Sequence, residues 1–251
     1  MKREHYNVIQ GADSFYYSGN STGVLICHGF NGTPQSVEEI GRKYADQGYT
    51  VYAPRLWGHG TSEHDMQNAC YQDWLQSLSD GFHYLKRSCS DIFLVGQSMG
   101  GTLCLHTAAK LLQPNGLVLI NAAINDVGYM DIKEAAEFIE EGSPDIKAPG
   151  VYEITYPKVP FTAVNELLSL MKKTSRCLKS IHCPVLLITS RIDHVVPPAN
   201  SDYIFNSISS PVKERVILEN SYHVASMDYD KEEIVQQSCN FFRRNAELQH
   251  V

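Results

Sequence analysis

The sequence predicts an α/β protein built on a mostly parallel, doubly wound sheet. Short apolar runs alternate along the chain with longer amphipathic ones, which is the rhythm of strand–helix–strand units. The apolar runs are rich in Val, Ile and Leu without polar alternation, as parallel strands covered on both faces must be. At 251 residues the chain suits one large domain, or one domain carrying an insertion.

Taken in order, the expected strands are Val24–Cys27, Thr50–Ala53, Ile92–Val95, Leu117–Ile120, Pro184–Thr189 and Val216–Leu218. The expected helices are Val37–Gln47, Trp74–Lys86, Met99–Leu112, Ser201–Ile208 and Glu232–Ala246. In Met99–Leu112 the residues Leu103, Ala108, Leu111 and Leu112 fall near helical spacing. Tyr6–Ile9 and Ser14–Ser18 read as an additional N-terminal hairpin. The rhythm breaks after Leu117–Ile120, where some fifty residues pass before the next strand. That stretch holds Gly142-Ser143-Pro144, Ala148-Pro149-Gly150 and the helix-like pieces Lys133–Glu141 and Ala163–Lys172. A structureless loop of that length is unusual in a compact domain. The division expected is therefore a core of residues 1–123 and 174–251 with an inserted cap, 124–173.

Composition narrows the function classes. Hydrophobic residues make up 43% and charged residues 20%, which excludes a disordered or coiled-coil chain. The net charge of −7 carries no basic block, so nucleic acid and anionic membranes are poor partners. No apolar run approaches a membrane span, and the Met1-Lys2-Arg3-Glu4-His5 start leads into no signal-like apolar segment. Seven scattered cysteines without a C-x-x-C pair fit a reducing cytoplasm and suggest neither a disulfide framework nor a zinc site. The oligomeric state is not legible.

The strongest chemical signal is Gly96-Gln97-Ser98-Met99-Gly100, directly after the strand Ile92–Val95 and at the start of a helical pattern. In that setting a G-x-S-x-G segment makes a tight strand-to-helix turn that lifts the serine hydroxyl above the sheet. Gly96 and Gly100 give the turn its room, and the helix N-terminus favours negative charge beside Ser98. A serine needs a base to become nucleophilic. Among ten histidines, His223 follows the strand Val216–Leu218, on the sheet edge where strand-end loops converge. His28 is expected to serve another role, His59 to sit in a turn, and His64, His83, His182 and His250 to lie on the surface. The base needs a carboxylate to fix its tautomer. Asp193, just past Pro184–Thr189, and Asp126, a few residues past Leu117–Ile120, are the two candidates; His194 is read as a neighbour of Asp193 rather than a base. For an oxyanion hole, the backbone N–H groups of Phe30, in His28-Gly29-Phe30-Asn31-Gly32, and of Met99 are expected.

Together these segments, with Gly29–Pro34, Pro54–Ser62 around Gly58-His59-Gly60, and Asn220–His223, resemble the α/β-hydrolase superfamily over nearly the whole chain. The order Ser98, Asp193, His223 matches that fold and favours Asp193 over Asp126. Within the superfamily the chain is most similar to small bacterial carboxylesterases and monoacylglycerol lipases. The resemblance implies a serine esterase working through an acyl-enzyme, with no cofactor, on a small-molecule ester carrying an acyl chain. Other serine-triad hydrolases (C–C hydrolases, perhydrolases, peptidases) and a non-catalytic ligand receptor on the same fold are the alternatives. The apolar cap is expected to roof the substrate site, with Glu153, Tyr129 and Ile154 as substrate-binding residues and the Glu153 carboxylate suited to a glycerol head group.

Overall fold

The computed structural model describes residues 4–125, 127–131 and 136–247. Asp126, Lys133 and His250 lie outside the described residues. A central sheet carries seven strands: β1 (Phe15–Tyr17), β2 (Thr22–Cys27), β3 (Thr50–Ala53), β4 (Asp91–Gln97), β5 (Gly116–Ile120), then β8 (Val185–Ser190) and β9 (Lys213–Leu218) after a small hairpin of β6 (Phe138–Glu140) and β7 (Lys158–Pro160). Their spatial order is β1-β3-β2-β4-β5-β8-β9, parallel throughout except for β1, which runs antiparallel to β3. The helices are α1 (Gln35–Asp46), α2 (Glu63–Gln67), α3 (Tyr71–Leu85), α4 (Met99–Lys110), α5 (Phe161–Ser175), α6 (Ala199–Ser207) and α7 (Lys231–Glu247).

Side-chain alternation on the inner strands explains their continuous hydrophobicity. On β4, Ile92 and Leu94 face one layer while Phe93 and Val95 face the other. The first layer packs Trp74, Leu78, Leu103 and Leu170 from α3, α4 and α5. The second packs Ile40 and Tyr44 of α1 against Phe241 and Phe242 of α7. Both faces are thus withdrawn from water, so polar residues fall at the strand ends, where Asp91, Gln97, Thr189 and Ser190 are buried with hydrogen-bond partners.

Three expectations need correction. Tyr6–Ile9 forms no strand: the main-chain N–H groups of His5 and Tyr6 donate to the Asp65 carboxylate and that of Ile9 to the Gly60 carbonyl, so the segment lies across the turn at Gly60 and the start of α2. Phe15–Tyr17 accordingly pairs with β3 instead of making a hairpin with Tyr6–Ile9. The helix-like reading of Lys133–Glu141 fails at its end, where Phe138–Glu140 pairs antiparallel with Lys158–Pro160. The strand β9 extends back to Lys213 because, at the sheet edge, it tolerates the run of charged residues Lys213-Glu214-Arg215.

Between β5 and α5 the described parts of the segment 124–160 lie over the carboxyl edge of the sheet, beside Ser98. Its hairpin and the start of α5 pack Val159, Ala163 and Val164 against Met66 and Tyr156 in a cluster separate from the two main layers. Among the described residues, no helix is long and apolar enough to cross a membrane.

Candidate active site

Ser98 sits between β4 and α4 with φ 55° and ψ −123°, a positive-φ conformation that only a tightly constrained turn imposes on a non-glycine residue. The constraint is steric. A Cβ on Gly96 would collide with the Gly100 carbonyl oxygen, and one on Gly100 with that of Cys27. The turn is also pinned by main-chain bonds, from Ser98 N–H to the Ile120 carbonyl (2.9 Å) and from Ala123 N–H to the Ser98 carbonyl (3.3 Å).

His223, itself buried, brings Nε2 to 2.9 Å from Ser98 Oγ and Nδ1 to 2.8 Å from Asp193 Oδ2. The ionised carboxylate only accepts, so Nδ1 carries the proton and the Nε2 lone pair faces the serine hydroxyl. The second oxygen of Asp193 accepts from the N–H groups of Val195 (2.9 Å) and Val196 (2.7 Å), which fixes the carboxylate against its own loop. The structure therefore brings together the three side chains singled out in the sequence, on the loops after β4, β8 and β9.

The loop after β2 passes directly against Ser98: a Cβ on Gly29 would stand 3.3 Å from Ser98 Cβ. Phe30 and Met99 both line the cavity beside the serine. His28 is buried under this loop, with Nε2 accepting from Leu56 N–H (3.2 Å) and Nδ1 2.9 Å from the Gly29 carbonyl. Burial holds its ring well below the usual histidine range, at about 4, so it stays neutral and serves as a fixed strut. His59, expected in a turn, lies in one and is fully buried. His64, His83 and His182 are exposed.

The cavity over Ser98 measures about 310 Å³, within the range of small-molecule pockets. One wall is Phe30, Met99, Leu167, Val127 and Val196; another is the segment Glu141–Asp145 with Glu153 and Thr155. Glu153, expected among the substrate-binding residues, lines the cavity and is only 8% exposed. Gly32 makes room for it, since a Cβ there would come within 3.0 Å of its Oε1. Burial pushes its carboxyl up to about 7, against the opposing pull of His223 and the Ser36 hydroxyl. The segment bearing it is clamped from both sides. Gln35 Nε2 donates to the Tyr152 carbonyl (2.8 Å) while its Oε1 accepts from Ile154 N–H (3.1 Å). Asn31 does the same at Tyr156, donating to its carbonyl and accepting from its N–H at 3.0 Å each.

Tyr129 also lines the cavity, edge-on to Phe30, with its hydroxyl donating to Glu141 Oε1 at 2.7 Å. Ile154 does not. Successive side chains of this stretch point to opposite sides, so Glu153 and Thr155 face the cavity while Ile154 Cδ1 packs against Gly11. Sequence reasoning missed Asn121, at φ 46° directly after β5, whose amide donates to the Ser190 hydroxyl and the His223 carbonyl at 2.9 Å each. It also missed Asp145 and Asp228, whose carboxylates bind the main chain around His223. Asn121 was findable, as a polar residue closing an apolar strand at the edge where Ser98, Asp193 and His223 meet.

A family model, Hydrolase_4, described as serine aminopeptidase, S33, matches residues 20–156 and 151–230. The chain belongs to this family. Its α/β-hydrolase architecture is shared by a solved structure from work on LipS and LipT, two metagenome-derived lipolytic enzymes, at 39% identity and a TM-score of 0.91, covering 95% of this chain and 100% of that one. A thermostable monoacylglycerol lipase of Bacillus sp. (strain H-257) is 43% identical over 247 residues, 97% of this chain and 99% of that protein. A carboxylesterase of Bacillus subtilis (strain 168) is 26% identical over 238 residues, 92% of this chain and 96% of its own length. As a member of the S33 family, the chain carries its serine elbow, acid loop and histidine loop inside the matched residues.

Proposed function

We infer that this α/β-hydrolase is a serine carboxylic ester hydrolase acting on small single-chain acyl esters, monoacylglycerols foremost. The observation that carries the reading is the hydrogen-bonded run from Asp193 through His223 to Ser98, opening into a cavity of mixed lining with the buried Glu153 in its wall. In this reading His223 takes the Ser98 proton as Oγ attacks the ester carbonyl, and the carbonyl electron pair moves onto oxygen. The N–H groups of Phe30 and Met99 receive that oxyanion. Collapse breaks the ester C–O bond, and His223 delivers its proton to the leaving alkoxide. Water, deprotonated by the same ring, then releases the acid and restores Ser98. Asp193 holds the ring and stabilises its cationic form.

The segment 124–173 is the cap of this reading and residues 1–123 and 174–251 the core. The apolar wall of Phe30, Val127, Leu167 and Val196 suits one acyl chain, and a cavity of about 310 Å³ leaves little space for three. Glu153, with Tyr129 nearby, serves the alcohol. A carboxylate withdrawn from water accepts strongly from glycerol hydroxyls. The names of the similar proteins, a monoacylglycerol lipase and a carboxylesterase, support the same substrate class. A cytoplasmic location belongs to this reading too, supported by seven cysteines, five of them buried, outside any disulfide.

The test is a rate series over p-nitrophenyl esters of increasing chain length, 1-monoacylglycerols, triacylglycerols and aminoacyl nitroanilides. Highest kcat/KM on monoacylglycerols or short-to-medium nitrophenyl esters is expected. Faster turnover of triacylglycerol, or of the nitroanilides that an aminopeptidase would prefer, contradicts it.

A further inference from the structure

Main-chain N–H groups of the loops that flank the reacting groups converge on two carboxylates. Asp145, in the cavity wall before the hairpin's second strand, accepts at Oδ2 from His194 N–H and from His223 N–H, each at 3.1 Å. Its Oδ1 lies 2.8 Å from His194 Nδ1, and its main-chain carbonyl accepts from Val224 N–H at 3.1 Å. Asp228, only 1% exposed, returns the contact: it accepts from Tyr222 N–H at 2.9 Å and from Tyr229 N–H at 2.8 Å, and from Lys147 and Ala148 N–H at 2.8 and 3.0 Å. The two aspartates clasp residues 145–148 to residues 222–229.

His194 directly follows Asp193, and His223 is the residue Asp193 must orient. A single oxygen of Asp145 thus joins the two loops whose relative placement sets the 2.8 Å contact between Asp193 and His223. We propose that Asp145 is a positioning residue that holds the acid-bearing and base-bearing loops in register from the substrate-facing wall. This rests on the triad reading above. Asp145 touches no reacting atom; it acts by fixing the main chain of His223, and a displacement of about 1 Å at such a site costs on the order of 10²-fold in rate. The charged and titratable groups around the His223 ring are then Asp193 from the loop after β8, Asp145 and Glu153 from the cavity wall, and His194 beside Asp145.

The experiment compares Asp145→Ala, Asp145→Asn and Ser98→Ala with the parent protein, using kcat and KM on p-nitrophenyl butyrate and a 1-monoacylglycerol, thermal midpoints and labelling by a fluorophosphonate. Asp145→Ala is expected to lower kcat about 10- to 100-fold on both substrates, with KM within about twofold and labelling slowed in proportion. Asp145→Asn keeps an acceptor oxygen and should restore kcat to within about threefold of the parent. Parent-like kcat in Asp145→Ala, or a loss confined to KM, overturns the proposal. So does a loss of kcat greater than about tenfold in a folded Asp145→Asn, which decides the matter if the alanine variant does not fold. An active Ser98→Ala would instead overturn the triad reading, whatever the Asp145 variants do.

Discussion

The elbow around Ser98 and the wall around Glu153 are held in place by opposite means. The elbow is fixed by exclusion: its glycines pass carbonyl groups at distances no Cβ tolerates, and Ser98 is left in a positive-φ conformation with no room to relax. The wall is fixed by polar clamps. Gln35 and Asn31 bind the main chain on either side of Glu153, Asp228 binds residues 147 and 148, and Tyr129 binds Glu141. Steric exclusion is all-or-none, so the elbow admits almost no variation. Hydrogen-bonded clamps are replaceable one at a time, so the stretch around Glu153 can be retuned while Ser98 stays put; Asp145, whose carboxylate reaches the histidine loop, is the exception. The serine turn and the stretch bearing Glu153 thus rest on separately supported parts of the fold.

That contrast collapses if the elbow tolerates bulk. Gly100→Ala places a Cβ against the Cys27 carbonyl and is expected to cost more than about 4 kcal/mol, lowering the thermal midpoint by roughly 10 °C or more with no detectable ester turnover. A calorimetric scan and a nitrophenyl ester assay check this; a stable, active variant would remove the steric argument. Asp193→Asn is the next largest effect. It preserves shape but lets His223 adopt the wrong tautomer, so kcat should fall by about 10⁴-fold with the thermal midpoint little changed.

Substitutions in the wall probe selectivity. Glu153→Leu should lower kcat/KM on 1-monoacylglycerols by about 10- to 150-fold, the worth of a hydrogen bond to a charged group, and much less on nitrophenyl esters, which have no diol. Equal losses on both substrates would make Glu153 a structural residue only. The smallest effect concerns stability. The Glu153 carboxyl is raised by burial to about 7, above its unfolded value, so the folded state holds its proton more tightly. Below the unfolded value this carries no penalty; the penalty grows as pH rises and is complete above about 7. Glu153→Gln should therefore be more stable than the parent at pH 8, by at most about 3 kcal/mol, with the advantage fading by about pH 5. Denaturant titrations at the two pH values read it directly.

Legibility in the sequence follows the same division. The inner strands are legible because burial on both faces leaves only apolar choices, and the Ser98 turn because its glycines are sterically compelled. Asp193 and His223 are legible because loops after parallel strands converge on one edge. The pairing of Phe138–Glu140 with Lys158–Pro160 is hidden, since it depends on a partner some twenty residues away that gives no local signal. Asp145 and Asp228 are hidden for a related reason. A loop carboxylate that accepts main-chain N–H groups some eighty residues distant looks in sequence like any solvated acid. Ile154 does not join Glu153 at the cavity, because an extended stretch sends neighbouring side chains to opposite sides.

Covalent labelling with a fluorophosphonate, read by intact mass and peptide mapping, asks most simply whether Ser98 is the nucleophile served by His223 and Asp193. One adduct per chain, on Ser98, formed at a rate that collapses in Asp193→Asn and lost in Ser98→Ala together with ester turnover, is the predicted result. Labelling at another residue, or ester hydrolysis that persists in Ser98→Ala, would contradict it.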